Sequence, residues 1–252
     1  YQWNGSIQGK QLKGSYKANN GNYGEFALNE SGTPKRPNTP TSTKTPAPNN
    51  TSRTADKYEI ANGDSLLFIG NSFMANEGGV FNYLTAGLEK KRVKIQTKKF
   101  IYYGRPLADM GKPEVRQSIE SGNFKAVVIT SGRLDVMKQF DAGIRKAGMK
   151  TVVMMTWKLR HPGNRSTSTF YTAASQRAVQ EMRKMERETG AMIVPTAVVF
   201  HDLTIRPPTG MPRVDYLWKP RNIHQNEIGT MVNSWMLYAI MTGNSPVGLN
   251  FD

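Results

Sequence analysis

The fold class predicted for residues 57–252 is α/β, a three-layer sandwich around a central parallel sheet of five strands. Three observations carry that expectation. Five short apolar runs, 66–70, 93–97, 126–130, 151–156 and 192–196, read as strands, and they alternate with amphipathic stretches at 76–90, 112–121, 136–147, 169–189 and 226–242 that read as helices. The strand runs are mostly apolar throughout, the mark of strands covered on both faces. Single strands separated by single helices imply parallel neighbours joined by right-handed crossovers.

The front of the chain has a different grammar. Within residues 1–32, the segments Trp3 to Ile7, Leu12 to Tyr16 and Tyr23 to Leu28 alternate apolar and polar residues between Gly/Asn turns, which predicts a small β-meander. A three-stranded unit of this size is marginally stable alone. Residues 33–56 hold much of the proline and threonine and almost nothing apolar, and read as an extended linker.

In the main domain the first strand breaks at Gly70-Asn71 and delivers the hydroxyl of Ser72 to a turn. A parallel strand running into a helix puts that turn at the carboxyl end of the sheet, beside backbone N–H groups able to receive a developing oxyanion. The plain alternative is a turn or N-cap serine. A nucleophilic serine needs a base, and the chain has three histidines, His161, His201 and His224. His224 is the candidate, because Asn222 to Gly229 forms a loop at the entrance to a long apolar-periodic segment, a usual setting for site residues. Ser72, Gly104, Ser131 and Trp157 each follow a predicted strand, so all four are expected on one rim. Met154 and Met155 read as strand core, whereas Trp157 ends that strand where it would offer a stacking face to a sugar.

The order Gly70-Asn71-Ser72-Phe73, then Tyr103-Gly104-Arg105-Pro106-Leu107, then Val152 to Trp157, then His224 and Gly229, resembles the SGNH hydrolases, or GDSL-like esterases, over residues 64–250. That resemblance implies a flavodoxin-like sheet, a catalytic pair Ser72 and His224, and an oxyanion hole that includes Gly104. The letters Gly63-Asp64-Ser65-Leu66 spell the family's nickname but precede the strand, so Ser65 is rejected. Two positions depart from the family pattern. Arg221 stands where an aspartate three residues before the histidine is usual, leaving Asp215, Asp202 or a Ser/His dyad as open alternatives. The family's oxyanion asparagine aligns with Leu134, and the nearby Thr130, Ser131 and Arg133 are the available groups, with Ser131 taken as the candidate donor. Arg133 and Arg221 are further expected to hold an anionic group of a substrate.

The formal net charge of +15 favours anionic partners. Lys90, Lys91, Arg92, Lys94, Lys98 and Lys99 are the densest cluster, yet no nucleic-acid-binding module accompanies them, so an ester substrate on an acidic polysaccharide suits the chain better than nucleic acid. With no cysteine, three histidines and no clustered carboxylates, neither a cofactor nor a metal is expected. No stretch is long and apolar enough to span a membrane, and the Thr/Pro linker points to a secreted, periplasmic or cell-surface location. The expected activity is a serine esterase acting on O-acyl groups, most simply acetyl esters of a carbohydrate. The alternatives are an O-acyltransferase, or a glycan- or surface-binding protein in which Leu134 and Arg221 mark lost catalytic positions.

Overall fold

The computed structural model describes residues 2–8, 11–17, 23–29, 60–156, 177, 180–181, 183–205, 217–219 and 223–246. The chain divides into two compact units, one made chiefly of Tyr1–Lys57 and the other of the remainder.

In the first unit, β1 (Gln2–Gln8), β2 (Gln11–Lys17) and β3 (Tyr23–Asn29) form an antiparallel sheet in that order. The register pairs Gln8 with Gln11 and Lys17 with Tyr23, as expected of strands joined by short turns.

In the second unit, β4 (Ser65–Gly70), β5 (Gln96–Ile101), β6 (Ala126–Thr130), β7 (Lys150–Met154) and β8 (Met192–Val194) form a sheet of order β5-β4-β6-β7-β8. Every pairing is parallel. The helices are α1 (Ser72–Ala75), α2 (Val80–Lys90), α3 (Pro113–Glu120), α4 (Leu134–Lys146), α5 (Thr196–Ile205) and α6 (Glu227–Thr242), with further helix at 183–189. The packing of α2 against α6, and of α3 against α4, makes the two outer layers. The three-layer α/β sandwich with a parallel five-stranded sheet is therefore the fold.

The core is the sheet itself. Leu66, Leu67, Phe68 and Ile69 of β4 and Ala126 to Ile129 of β6 are fully buried. Each large apolar side chain so buried contributes about 1.5–3 kcal/mol. This strand order has its switch point between β4 and β6, where successive connections leave in opposite directions and a crevice opens at the carboxyl ends. Ser72 lies there, whereas Ser65 is the first residue of β4, at the opposite end of the sheet.

Several boundaries differ from the sequence expectation. The second strand is 96–101 rather than 93–97, because β5 is an edge strand whose lysines leave little apolar signal. Lys98 and Lys99 also leave on different partners: Lys98 donates to Ser118 Oγ at 2.9 Å, and Lys99 donates to Asn82 Oδ1 at 3.2 Å while lying over the Phe81 ring. The expected helix 76–90 begins only at Val80, because Glu77, Gly78 and Gly79, which follow the end of α1, all adopt positive φ. The run 192–196 ends as a strand at Val194, and Thr196–Ile205 is helical. No helix of the described residues is long and apolar enough to cross a membrane.

Candidate active site

Ser72 is delivered by β4, a strand buried from Leu66 to Gly70. Gly70 is required at the end of β4, because a Cβ there would lie 2.9 Å from both Met74 Sδ and Thr130 Cγ2. Asn71 then caps α1, accepting from the Phe73 N–H at 3.2 Å through Oδ1, while its Nδ2 donates to the Arg105 carbonyl at 3.1 Å. One side chain thus ties the Ser72 turn to the turn that follows β5.

That second turn is pinned at both ends. The Tyr102 N–H donates to the Gly70 carbonyl at 2.8 Å, and the Arg105 N–H closes back on the Tyr102 carbonyl at 3.2 Å. Gly104 between them has φ of +69°, the left-handed region that glycine adopts without strain. Among the described residues, the N–H groups of Ser72 and Gly104 donate to no backbone carbonyl. Both residues line a cleft of about 700 Å³, together with Asn71, Phe73, Asn76, Tyr103, Arg105, Pro106, Lys219, Ile223 and His224.

His224 arrives from outside the sheet. Residues 217–219 and 224–226 run antiparallel, with the Lys219 N–H donating to the His224 carbonyl at 2.9 Å and the Asn226 N–H to the Leu217 carbonyl at 3.0 Å. Trp218 in this ladder is 1% exposed and meets Phe200 edge to face, with ring centroids 5.2 Å apart. The buried Gln225 donates to the Phe73 carbonyl at 2.9 Å, binding the His224 segment directly to the Ser72 segment. Gly229 completes the closure: a Cβ would lie 2.4 Å from the Leu217 carbonyl oxygen, so only glycine lets α6 begin against the ladder. Asn226 caps that helix, accepting from the Gly229 N–H at 3.0 Å.

The result is a hydrogen bond of 2.8 Å between Ser72 Oγ and His224 Nε2. Burial, and secondarily the Lys219 ammonium, hold the imidazole below its ordinary pKa. The ring is therefore neutral at neutral pH, and in the tautomer protonated on Nδ1 the serine hydroxyl donates to Nε2. Lys219 itself pairs with Glu77.

Other expected site residues lie elsewhere. The Ser131 N–H donates to the Met154 carbonyl at 2.8 Å, and its hydroxyl pairs with Thr156, accepting from the Thr156 N–H at 2.8 Å. Ser131 ties β6 to the end of β7 and is not among the cleft-lining residues. Arg133 grips Asp135 through Nε and Nη2, at 3.1 and 2.8 Å, and likewise lies outside the cleft lining. This fork holds the Asp135 carboxyl below its usual range. Trp157, Arg221, His161 and Asp215, and the side chains of His201 and Asp202, lie outside the described residues. Sequence reasoning did not single out Asn71, Asn76, Tyr103, Lys219 or Ile223 as cleft residues. Among the described residues, no group of three or more His, Cys, Asp or Glu is arranged to hold a metal.

No protein-family model and no curated protein matches the chain. Solved structures do. A mutant of an acetyl-xylooligosaccharide esterase from Geobacillus stearmophilus superposes with a TM-score of 0.51 at 16% identity, covering 75% of this chain and 98% of that one. A gut microbial diltiazem-metabolizing enzyme gives 0.44 at 14% identity, covering 72% and 47%. What the first of these shares with the chain is its fold.

Proposed function

We propose that the chain is a serine esterase of the SGNH kind that removes O-acyl groups, most simply O-acetyl groups, from a carbohydrate. The observation that carries this reading is the 2.8 Å hydrogen bond between Ser72 Oγ and His224 Nε2, formed across 152 residues of sequence at the switch point of the sheet. The fold shared with an acetyl-xylooligosaccharide esterase is consistent with it.

In this mechanism Ser72 Oγ attacks the ester carbonyl as His224 Nε2 takes its proton, and the carbonyl oxygen becomes an oxyanion facing the N–H groups of Ser72 and Gly104. The imidazolium returns the proton to the departing alcohol, leaving an acyl-serine. Water then attacks that acyl group, giving up a proton to His224, and the acid leaves as Ser72 recovers its hydrogen. A second alcohol in place of water would make the same chain an acyltransferase. The depressed pKa of His224 suits the first step, since the base is already unprotonated at neutral pH. An O-acetylated acidic polysaccharide outside the cytoplasm is the substrate setting we favour, in keeping with the net charge of +15.

The test is p-nitrophenyl acetate hydrolysis by the wild type and by Ser72→Ala. The expected loss is at least about a thousandfold. Equal rates in the two proteins would refute the assignment of Ser72.

A further inference from the structure

We infer that the turn Tyr102 to Arg105 is a recognition site for a carboxylate-bearing sugar, a hexuronate, with Tyr103 under the ring and Arg105 on the carboxylate. The inference rests on the esterase reading for its location and adds the chemistry of what is read beside the scissile ester.

The first observation is an uncommitted guanidinium. Arg116 donates to the Gly111 carbonyl, Arg133 forks onto Asp135, and Arg145 is paired with Asp141. Among the described residues Arg105 has only the Asp109 carboxylate, 3.9 Å away, with both side chains about half or more exposed, at 68% and 47%. A contact that long and that wet contributes little and leaves the planar fork of donors open to a second carboxylate.

The second observation is an uncovered ring. Tyr103 is 65% exposed, the most exposed large apolar side chain among the described residues, and it lines the same cleft as Ser72 and His224. An apolar face left bare at the lip of a cleft marks a contact surface for a ligand.

The backbone that carries the two side chains is also held in place. Tyr102 is anchored through its N–H to Gly70 and through its hydroxyl to Glu114 Oε1 at 2.9 Å, and the Arg105 carbonyl accepts from Asn71. The main chain is pinned while the Tyr103 ring and the Arg105 head face outward, the arrangement of a preorganised subsite. Glu77 is engaged with Lys219, and Glu227 with the Tyr83 hydroxyl. A ring face for the sugar and a planar fork for its carboxylate together favour a uronate over a neutral sugar.

The experiment uses Ser72→Ala, which cannot turn over, and titrates it with trigalacturonate and with neutral xylotriose by calorimetry at low and at physiological salt. The acidic trisaccharide is expected to bind more tightly. Adding Arg105→Gln should abolish that preference, a loss of roughly tenfold or more. Arg105→Lys should restore only part of it, since charge returns without the fork. Tyr103→Ala should weaken both ligands together. Arg133→Gln, which removes an equal charge away from the cleft, is the control. A preference that survives Arg105→Gln, an equal loss in Arg133→Gln, or no binding of trigalacturonate at all overturns the inference. Thermal melts of each variant exclude unfolding as the cause. The two readings fail separately: loss of Ser72-dependent hydrolysis in the wild type would sink the esterase and leave the binding result standing, and the reverse holds as well.

Discussion

The two halves of the proposed catalytic pair are held in different ways. Ser72 stands on the end of β4, a strand buried along most of its length and hydrogen-bonded on both sides by β5 and β6. His224 stands on a short ladder outside the sheet, fastened by two backbone hydrogen bonds, the Gln225 amide and the buried Trp218. The nucleophile is placed by regular secondary structure and the base by particular tertiary contacts. Damage to the base arm is therefore expected to cost activity well before it costs the fold.

The sharpest way to break that comparison is to remove both partners. His224→Ala should cost about as much in kcat as Ser72→Ala, at least about a thousandfold, and the double variant should cost no more than either single one, because the two act as a unit. A double variant much worse than both, measured with p-nitrophenyl acetate, would mean they act separately. Next in size is Gly229→Ala. A methyl group placed 2.4 Å from the Leu217 carbonyl has backbone against it and cannot be accommodated by a rotamer change, so a loss of about 2–4 kcal/mol is expected in urea denaturation. Gly104→Ala meets nothing within 4 Å, and its cost is the left-handed backbone alone, about 1–2 kcal/mol.

A finer probe is Gln225→Leu, which strands the Phe73 carbonyl and cuts the tie between the two arms. The stability cost should be about 1–3 kcal/mol. The loss in kcat measured on the folded fraction should exceed what that unfolding explains, and an unchanged kcat would show that the tie does not position His224. The smallest effect expected is from Lys219→Met. Burial is the main cause of the low His224 pKa and the ammonium the second, so the acid limb of kcat/KM should move to higher pH without reaching the ordinary imidazole value. Linkage runs the same way. Because the folded pKa lies below the unfolded value of about 6.5, the protein loses stability as pH falls through the window between them, and Lys219→Met should narrow that window.

The same division explains what was legible in the sequence. The continuous apolar runs of β4 and β6 announce central strands, and Ser72 follows from where β4 ends. With only three histidines in the chain, His224 could be chosen by position alone. The base arm's own geometry had no such signal. The pairing of Trp218 with Gln225 has no period or turn signature at its rungs, so Lys219 and Ile223 were not expected in the cleft. The partners of Ser131 were hidden for a related reason: the pattern puts it at the carboxyl end of the sheet, but only the register shows that it bonds to Met154 and Thr156. The helix Thr196–Ile205 was missed because it starts as a short buried apolar run, which periodicity alone does not separate from a strand.

The turn from Tyr102 to Arg105 has a longer consequence. Its position is written in main-chain atoms, an N–H to Gly70 and a carbonyl to Asn71, while two of its side chains contribute little to holding it there. Substitution at 103 or 105 therefore leaves the scaffold intact and alters only what the lip of the cleft meets. Two codons are enough for a descendant of this chain to present a different lip to whatever enters the cleft, with Ser72 and His224 left as they stand.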